Sequence, residues 1–193
     1  MGELLLIVLA AALVNNFVLV QFLGVCPALG ASRRLEGAIG MALSTALVLT
    51  TASGLSFLVE RFLLQRFELQ YLKLLAFVVV IGLSLQLWEL LIRRFSPLLS
   101  RLLGLYLPLI ASNCALLGVA LLNSAASRSF VAALFYAAGA ALGFGLALAL
   151  LAGLRDRMRH SDVPLPFRGA AIVFVTAGIL SLAFVGFAGF ARL

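Results

Sequence analysis

Six blocks of about twenty mostly apolar residues run through this chain, and a stretch of that length crosses the hydrocarbon core of a bilayer. A soluble core cannot absorb them. Of 193 residues, 64% are hydrophobic and 11% charged, against roughly half and about 25% in soluble domains. The blocks predict helical spans at about Leu4–Leu23, Ala38–Leu58, Leu72–Ile92, Leu102–Leu122, Phe130–Leu151 and Ala170–Phe190. The first span continues raggedly through Gly24-Val25-Cys26-Pro27-Ala28-Leu29-Gly30. The expected fold is all-α: one polytopic transmembrane domain over residues 1–193. The first block starts at Leu4 with no basic region before it and no small-residue cleavage site after it, so it is expected to stay in the protein.

The net charge of +7 does not indicate nucleic acid, because the basic residues sit in short clusters between the apolar blocks. The loops after the first, third and fifth spans hold nine Lys and Arg residues: Arg33, Arg34, Arg93, Arg94, Arg101, Arg155, Arg157, Arg159 and Arg168. The other side holds five: Arg61, Arg66, Lys73, Arg128 and Arg192. Positive charge favours the cytoplasmic side, which places both termini outside.

The chain reads as two weakly similar halves, about 1–96 and 97–193. Each opens with a span carrying asparagine and one cysteine: Asn15, Asn16 and Cys26 in the first, Asn113 and Cys114 in the second. Short loops follow, Ala31-Ser32-Arg33 and Ala126-Ser127-Arg128, then a Gly/Ala-rich span, then a span with a Gly/Ser stretch. A repeated unit of three spans must insert upside-down relative to the first, which predicts two inverted three-helix repeats. Gly24, Pro27 and Gly30 interrupt the first span and Pro108 the fourth. Broken helices at corresponding positions of inverted halves mark a site between them.

Cys26 and Cys114 are the residues on which chemistry could rest there. Asn15, Asn16, Ser112 and Asn113 are placed to satisfy freed backbone groups or donate to a thiolate. An isolated core cysteine is commonly just a small apolar side chain, and that reading stands beside the functional one. Zinc sites and iron–sulfur clusters take four protein ligands, whereas this chain has two sulfurs and a single loop histidine, His160. A cluster would therefore need two ligands from another subunit, such as a two-fold related partner of the same fold. Glu89 is the one acid well inside a predicted span, a candidate for ion passage. It also lies four residues before Arg93, where an ordinary helical ion pair would satisfy it. Gly139-Ala-Ala-Leu-Gly143 predicts close helix packing. The segment Ser161–Gly169, with Pro164 and Pro166, suits either docking of a soluble partner or plain helix punctuation.

Three stretches carry a resemblance over the whole length. They are Val14-Asn15-Asn16-Phe17-Val18-Leu19-Val20-Gln21-Phe22-Leu23-Gly24-Val25-Cys26-Pro27, Leu107-Pro108-Leu109-Ile110-Ala111-Ser112-Asn113-Cys114-Ala115 and Asp162-Val163-Pro164-Leu165-Pro166-Phe167-Arg168-Gly169. They resemble the RnfA/RnfE/NqrD/NqrE family of electron-transport membrane subunits, on its RnfA side. The resemblance implies a bacterial inner-membrane subunit of a ferredoxin:NAD+ oxidoreductase coupled to Na+ or H+ transport. It implies an RnfE-like homologous partner, with two cysteines from each subunit holding an intramembrane 2Fe–2S cluster. The cysteines here would be Cys26 and Cys114. Flavins and the nicotinamide site would belong to other subunits, and the B, C, D and G components of the complex are the further partners implied. No catalysis is expected from this chain alone. The alternatives are a small inverted-repeat secondary transporter using Glu89, an NqrE-type subunit of a sodium-pumping NADH:quinone oxidoreductase, and a scaffold with inert cysteines.

Overall fold

The fold is that of a computed structural model describing residues 2–25, 30, 35–66, 70–95, 109–110, 113–158 and 169–190. Among the described residues six α-helices have defined bounds, and no strand occurs. They are α1 (Gly2–Leu9), α2 (Leu35–Val59), α3 (Lys73–Phe95), α4 (Cys114–Ala125), α5 (Phe130–Met158) and α6 (Ala170–Phe190). Helices α1 and α2 each run into a single π turn, Ala10–Val14 and Glu60–Leu64.

Three helical stretches are long and apolar enough to cross a membrane: Gly37–Leu64, Lys73–Arg94 and Phe130–Met158. The outward face of α3 carries Leu74, Leu75, Val78, Val79, Leu83, Leu87 and Leu90, all exposed. Helix α6 adds Ile179 and Leu182, also exposed. Water would not tolerate so continuous an apolar exterior, but lipid does. Hydroxyls in the helices turn back on the backbone: Ser44, Thr50, Ser84 and Thr176 each donate to the carbonyl four residues earlier, which satisfies them without solvent. Trp88 links α3 to α2 by donating to Thr51 Oγ1 at 2.9 Å.

The long helices α2 and α5 share the most extensive contact. Around them the packing is crosswise. Helix α1, from the first half of the chain, packs on α5 of the second, and α4, from the second, packs on α2 of the first. Helix α3 reaches α4, and α6 reaches the π turn after α1. The Gly139/Gly143 pattern lies at the α1–α5 contact. A Cβ on Gly139 would fall 2.7 Å from the Val8 carbonyl oxygen, and one on Gly143 would fall 3.0 Å from that of Ala12. Hydrogen at these two positions lets the backbones meet.

The first helix departs from the expected span, ending at Val14 rather than Leu23. Asn16 explains the stop. It is fully buried, and its side-chain oxygen accepts the Val18 N–H at 3.1 Å, while its Nδ2 donates to the carbonyls of Ala12 and Gly143. The side chain thus replaces helical partners and draws the backbone out of the helix. The following stretch is non-helical, with positive φ at Phe22 (55°) and Gly24 (84°). Protein covers its first part: Phe17, Val18 and Leu19 are buried, Phe17 stacks on Phe144 of α5, and Ser181 of α6 donates to the Leu19 carbonyl at 2.5 Å, while Gln21 and Phe22 are exposed. Irregular backbone at membrane depth survives only under such cover.

The fourth span is likewise broken. Helix α4 begins at Cys114, with Asn113 as its N-cap. Its 12 residues rise only about 18 Å, short of a core about 30 Å thick. Helix α2 overruns its expected end, because the π turn carries it to Leu64. Glu60 therefore sits within a helix as Glu89 does, contrary to the expectation that Glu89 is the lone acid inside a span. Lys73 approaches Glu60 Oε1 at 2.7 Å, and the Ser124 hydroxyl bonds the same oxygen. Beside them Asn123 donates to Ser53 Oγ at 2.7 Å and accepts from Arg128, whose guanidinium lies 3.9 Å from the Tyr136 ring centre. These polar contacts fasten α2, α3, α4 and α5 together at one end.

Candidate functional site

The two breaks meet. The N–H of Gly24 donates to Cys114 Sγ at 3.1 Å, across 90 residues of sequence. Asn113 holds the cysteine's backbone in place: its Oδ1 accepts the Ala115 N–H at 3.0 Å, and its own N–H donates to the Ile110 carbonyl. Cys114 therefore occupies the first position of α4, where backbone N–H groups point outward and a negatively charged ligand atom is well placed.

Two features of this corner are unusual for an inert cysteine. Free cysteines are among the most buried residues, yet Cys114 is free and exposed on the surface of this chain. Meanwhile the Asn113 Nδ2 is buried, in a residue only 4% exposed, and finds no hydrogen-bond partner among the described residues. A buried donor with no described partner, on the residue preceding an exposed sulfur, suits a group completed from outside the chain. Among the described residues no three His, Cys, Asp or Glu side chains come together, so Cys114 could hold such a group only with ligands from elsewhere.

Gly24 is required at this corner. Its φ of 84° is one that side chains resist, and a Cβ there would meet Asn113 Oδ1 at 2.9 Å and Ala115 Cβ at 3.2 Å. Gly24→Ala should destabilise the protein by about 2 kcal/mol through αL strain and overpacking. Gly153→Ala, where nothing among the described residues lies within 4 Å, should be neutral or mildly stabilising. Thermal unfolding of the two variants in the same detergent measures the contrast.

The other expected residues separate. Of the asparagine pair, Asn16 is the buried structural residue and Asn15 is exposed. Glu89 pairs with Arg93 at 2.6 Å, both side chains substantially exposed, so the ordinary helical pair accounts for it. Cys26, Pro27, Pro108, Ser112, His160 and most of the 161–169 segment lie outside the described residues. Sequence reasoning missed the Gly24 amide, because a backbone donor carries no residue signature beyond the glycine itself.

Comparison with known proteins agrees with this architecture. The sequence profile of the family described as "Rnf-Nqr subunit, membrane protein" matches residues 4–191. The chain is 52% identical over 192 residues to a Shewanella sediminis protein, covering 100% of both chains. That relative is named as the A component of an ion-translocating oxidoreductase complex. A protein of the same name from Shewanella denitrificans is 53% identical over 189 residues, 98% of each chain, and one from Aliivibrio fischeri is 50% identical over 193 residues, 100% of each. With a profile match across nearly its whole length and relatives at half identity end to end, this multi-pass membrane chain belongs to the Rnf-Nqr family of membrane subunits.

Proposed function

We propose that this chain is the membrane subunit of an Rnf-type ferredoxin:NAD+ oxidoreductase that carries electrons through the bilayer, with Cys26 and Cys114 as its ligands to a shared 2Fe–2S cluster. The observation that carries the reading is the exposed Cys114 thiol held under the Gly24 N–H. Cys26 follows Gly24 by two residues, so chain length alone keeps their Cα atoms within about 7 Å of each other. Two thiols from one chain are half a ligand set. The other half would come from a homologous RnfE-like subunit facing the Cys114 surface. A bound cluster would supply a one-electron acceptor and donor inside the membrane. This chain's own part is to present the two thiols, to aim the Gly24 N–H at one sulfur and to keep the Asn113 amide in reserve beside it. Donors to cluster sulfur are a recognised lever on reduction potential.

The crosswise packing of α1 on α5 and α4 on α2 supports two inverted three-helix halves, about 1–96 and 97–193, related by a two-fold axis through the broken helices. Two related halves that can rock about such an axis suit coupling to Na+ or H+ movement. The name of the relatives supports an ion-coupled redox class for the chain. The remaining partners would be the B, C, D and G components of the complex, in a bacterial inner membrane, with both termini periplasmic by the distribution of arginine.

The test is spectroscopic. The assembled complex, purified in detergent and reduced, should show the EPR signal of a 2Fe–2S cluster, with matching iron, in a subcomplex of this chain and its homologous partner. A subcomplex free of iron, or solute uptake by the isolated chain with no redox partner, would displace this reading in favour of a transporter.

A further inference from the structure

A second site lies at the other end of α4. A cavity of about 200 Å³ opens among the π turn of α2, the end of α4 and the turn into α5. Its charged and polar lining includes Glu60, Arg61, Gln65, Ser124, Ser127 and Arg128. We propose that this cavity binds a phosphate group, carried by the headgroup of an anionic phospholipid.

Charge sets the sign of the ligand. Among the described residues the lining holds one carboxylate, Glu60. Lys73 at 2.7 Å and the Ser124 hydroxyl already answer it, so the place of a cation is taken by Lys73. Among the described residues no carboxylate answers the arginines. Arg128 donates to neutral acceptors, the Leu122 carbonyl and Asn123 Oδ1, and lies over the Tyr136 ring. Among the described residues neither Arg61 nor Arg128 has a carboxylate within ion-pair distance. The N-terminus of α5, which starts two residues after Arg128, adds the positive end of a helix dipole.

Backbone irregularity is concentrated around the same cavity. The π turn at Glu60–Leu64 ends α2 and carries Glu60 and Arg61. Ser127 holds a positive φ of 46°, a conformation that costs energy for a non-glycine residue. Both features recur at functional sites. The surroundings favour a lipid as the source of the phosphate. Phe57 lines the cavity and its ring lies 5.6 Å from that of the exposed Phe130, which offers acyl chains an apolar surface beside the guanidinium groups that meet the headgroup. Arginine suits this, because its planar fork matches phosphate oxygens.

The test uses the assembled complex in nanodiscs and a photoreactive phosphatidylglycerol, with phosphatidylcholine as the zwitterionic comparison and inorganic phosphate as competitor. Phosphatidylglycerol should label peptides containing residues 57–65 or 123–128 in preference to phosphatidylcholine. Arg61→Gln should weaken that labelling about tenfold, the effect of one lost charged hydrogen bond. Ser127→Asp, which accepts the left-handed backbone but adds a negative charge, should weaken it at least as much. Displacement of the label by millimolar inorganic phosphate would support recognition of the headgroup phosphate, whereas phosphate binding with no lipid labelling would assign the site to the free anion and overturn the lipid source. Equal labelling by both lipids, or labelling unchanged in Arg61→Gln and Ser127→Asp complexes of wild-type thermal stability, would overturn the proposal.

Discussion

Cys114→Ser should remove iron and the reduced-cluster EPR signal from the assembled complex while leaving the protein inserted and folded. The substitution changes one atom. The Cys114 side chain is exposed, so little packing is lost, and stability should move by no more than about 0.5 kcal/mol. The Asn113 cap does not depend on the sulfur, and a serine oxygen can still accept the Gly24 N–H. What serine cannot supply is a thiolate. Loss of partners that merely orient metal ligands costs about 10–100-fold in metal affinity or activity, so loss of a ligand should exceed about 100-fold in electron transfer. Cys26→Ser should behave the same way. Iron content, EPR and reductant-driven electron transfer in the purified complex give the result. A Cys114→Ser complex with full electron transfer and full iron would refute the relay.

The second large effect belongs to the α1–α5 contact. Gly139→Leu would place a Cβ 2.7 Å from the Val8 carbonyl oxygen and 2.9 Å from Val8 Cα, with the rest of the side chain still to be housed. These obstacles are backbone atoms, which cannot rotate away as a side chain could. Overpacking of this kind costs about 1–3 kcal/mol or more. If α1 lifts from α5, the Asn16 Nδ2–Gly143 carbonyl bond at 2.9 Å is lost as well, at a further cost of about 1–3 kcal/mol for buried groups left unpaired. The sum is a large share of a typical net stability of about 5–15 kcal/mol. Melting should fall by roughly 10 °C or more, and accumulation in the membrane should drop. Gly153→Leu on the same helix, where nothing among the described residues lies within 4 Å, should change melting by no more than a few degrees. Equal effects at the two positions would show that helix propensity, rather than the close approach, governs Gly139.

Apolar run length made the spans readable in advance. The expected sixth span, Ala170–Phe190, coincides with α6, and the fifth starts at Phe130 as α5 does. Run length could not show where polar side chains take over backbone bonds. The first helix stops at Val14 because a buried Asn16 offers its own donors and acceptor, and an apolar count passes over that residue unchanged. The end of α2 moved the other way: a π turn inserts one extra residue per hydrogen-bonded ring, and no residue type signals it. At the site, Cys114 and Asn113 stood out by type and position. The partner that the described structure gives Cys114 is a main-chain amide, legible only as a glycine with no stated reason. Glu89 stood out by charge and proved to be an exposed pair with Arg93.

The exchange of first helices between the halves also bears on biogenesis. Asn16 reaches Gly143 across 127 residues. At ribosomal speeds of about 5–20 residues per second, that partner arrives roughly 6–25 s after Asn16 itself has been made. Until then the kinked strand after α1 has no lid, and its free amides must be sheltered by the insertion machinery or held back from the lipid. Neither half can mature alone, so a chain cut between them should be cleared by membrane proteases instead of persisting as two stable fragments.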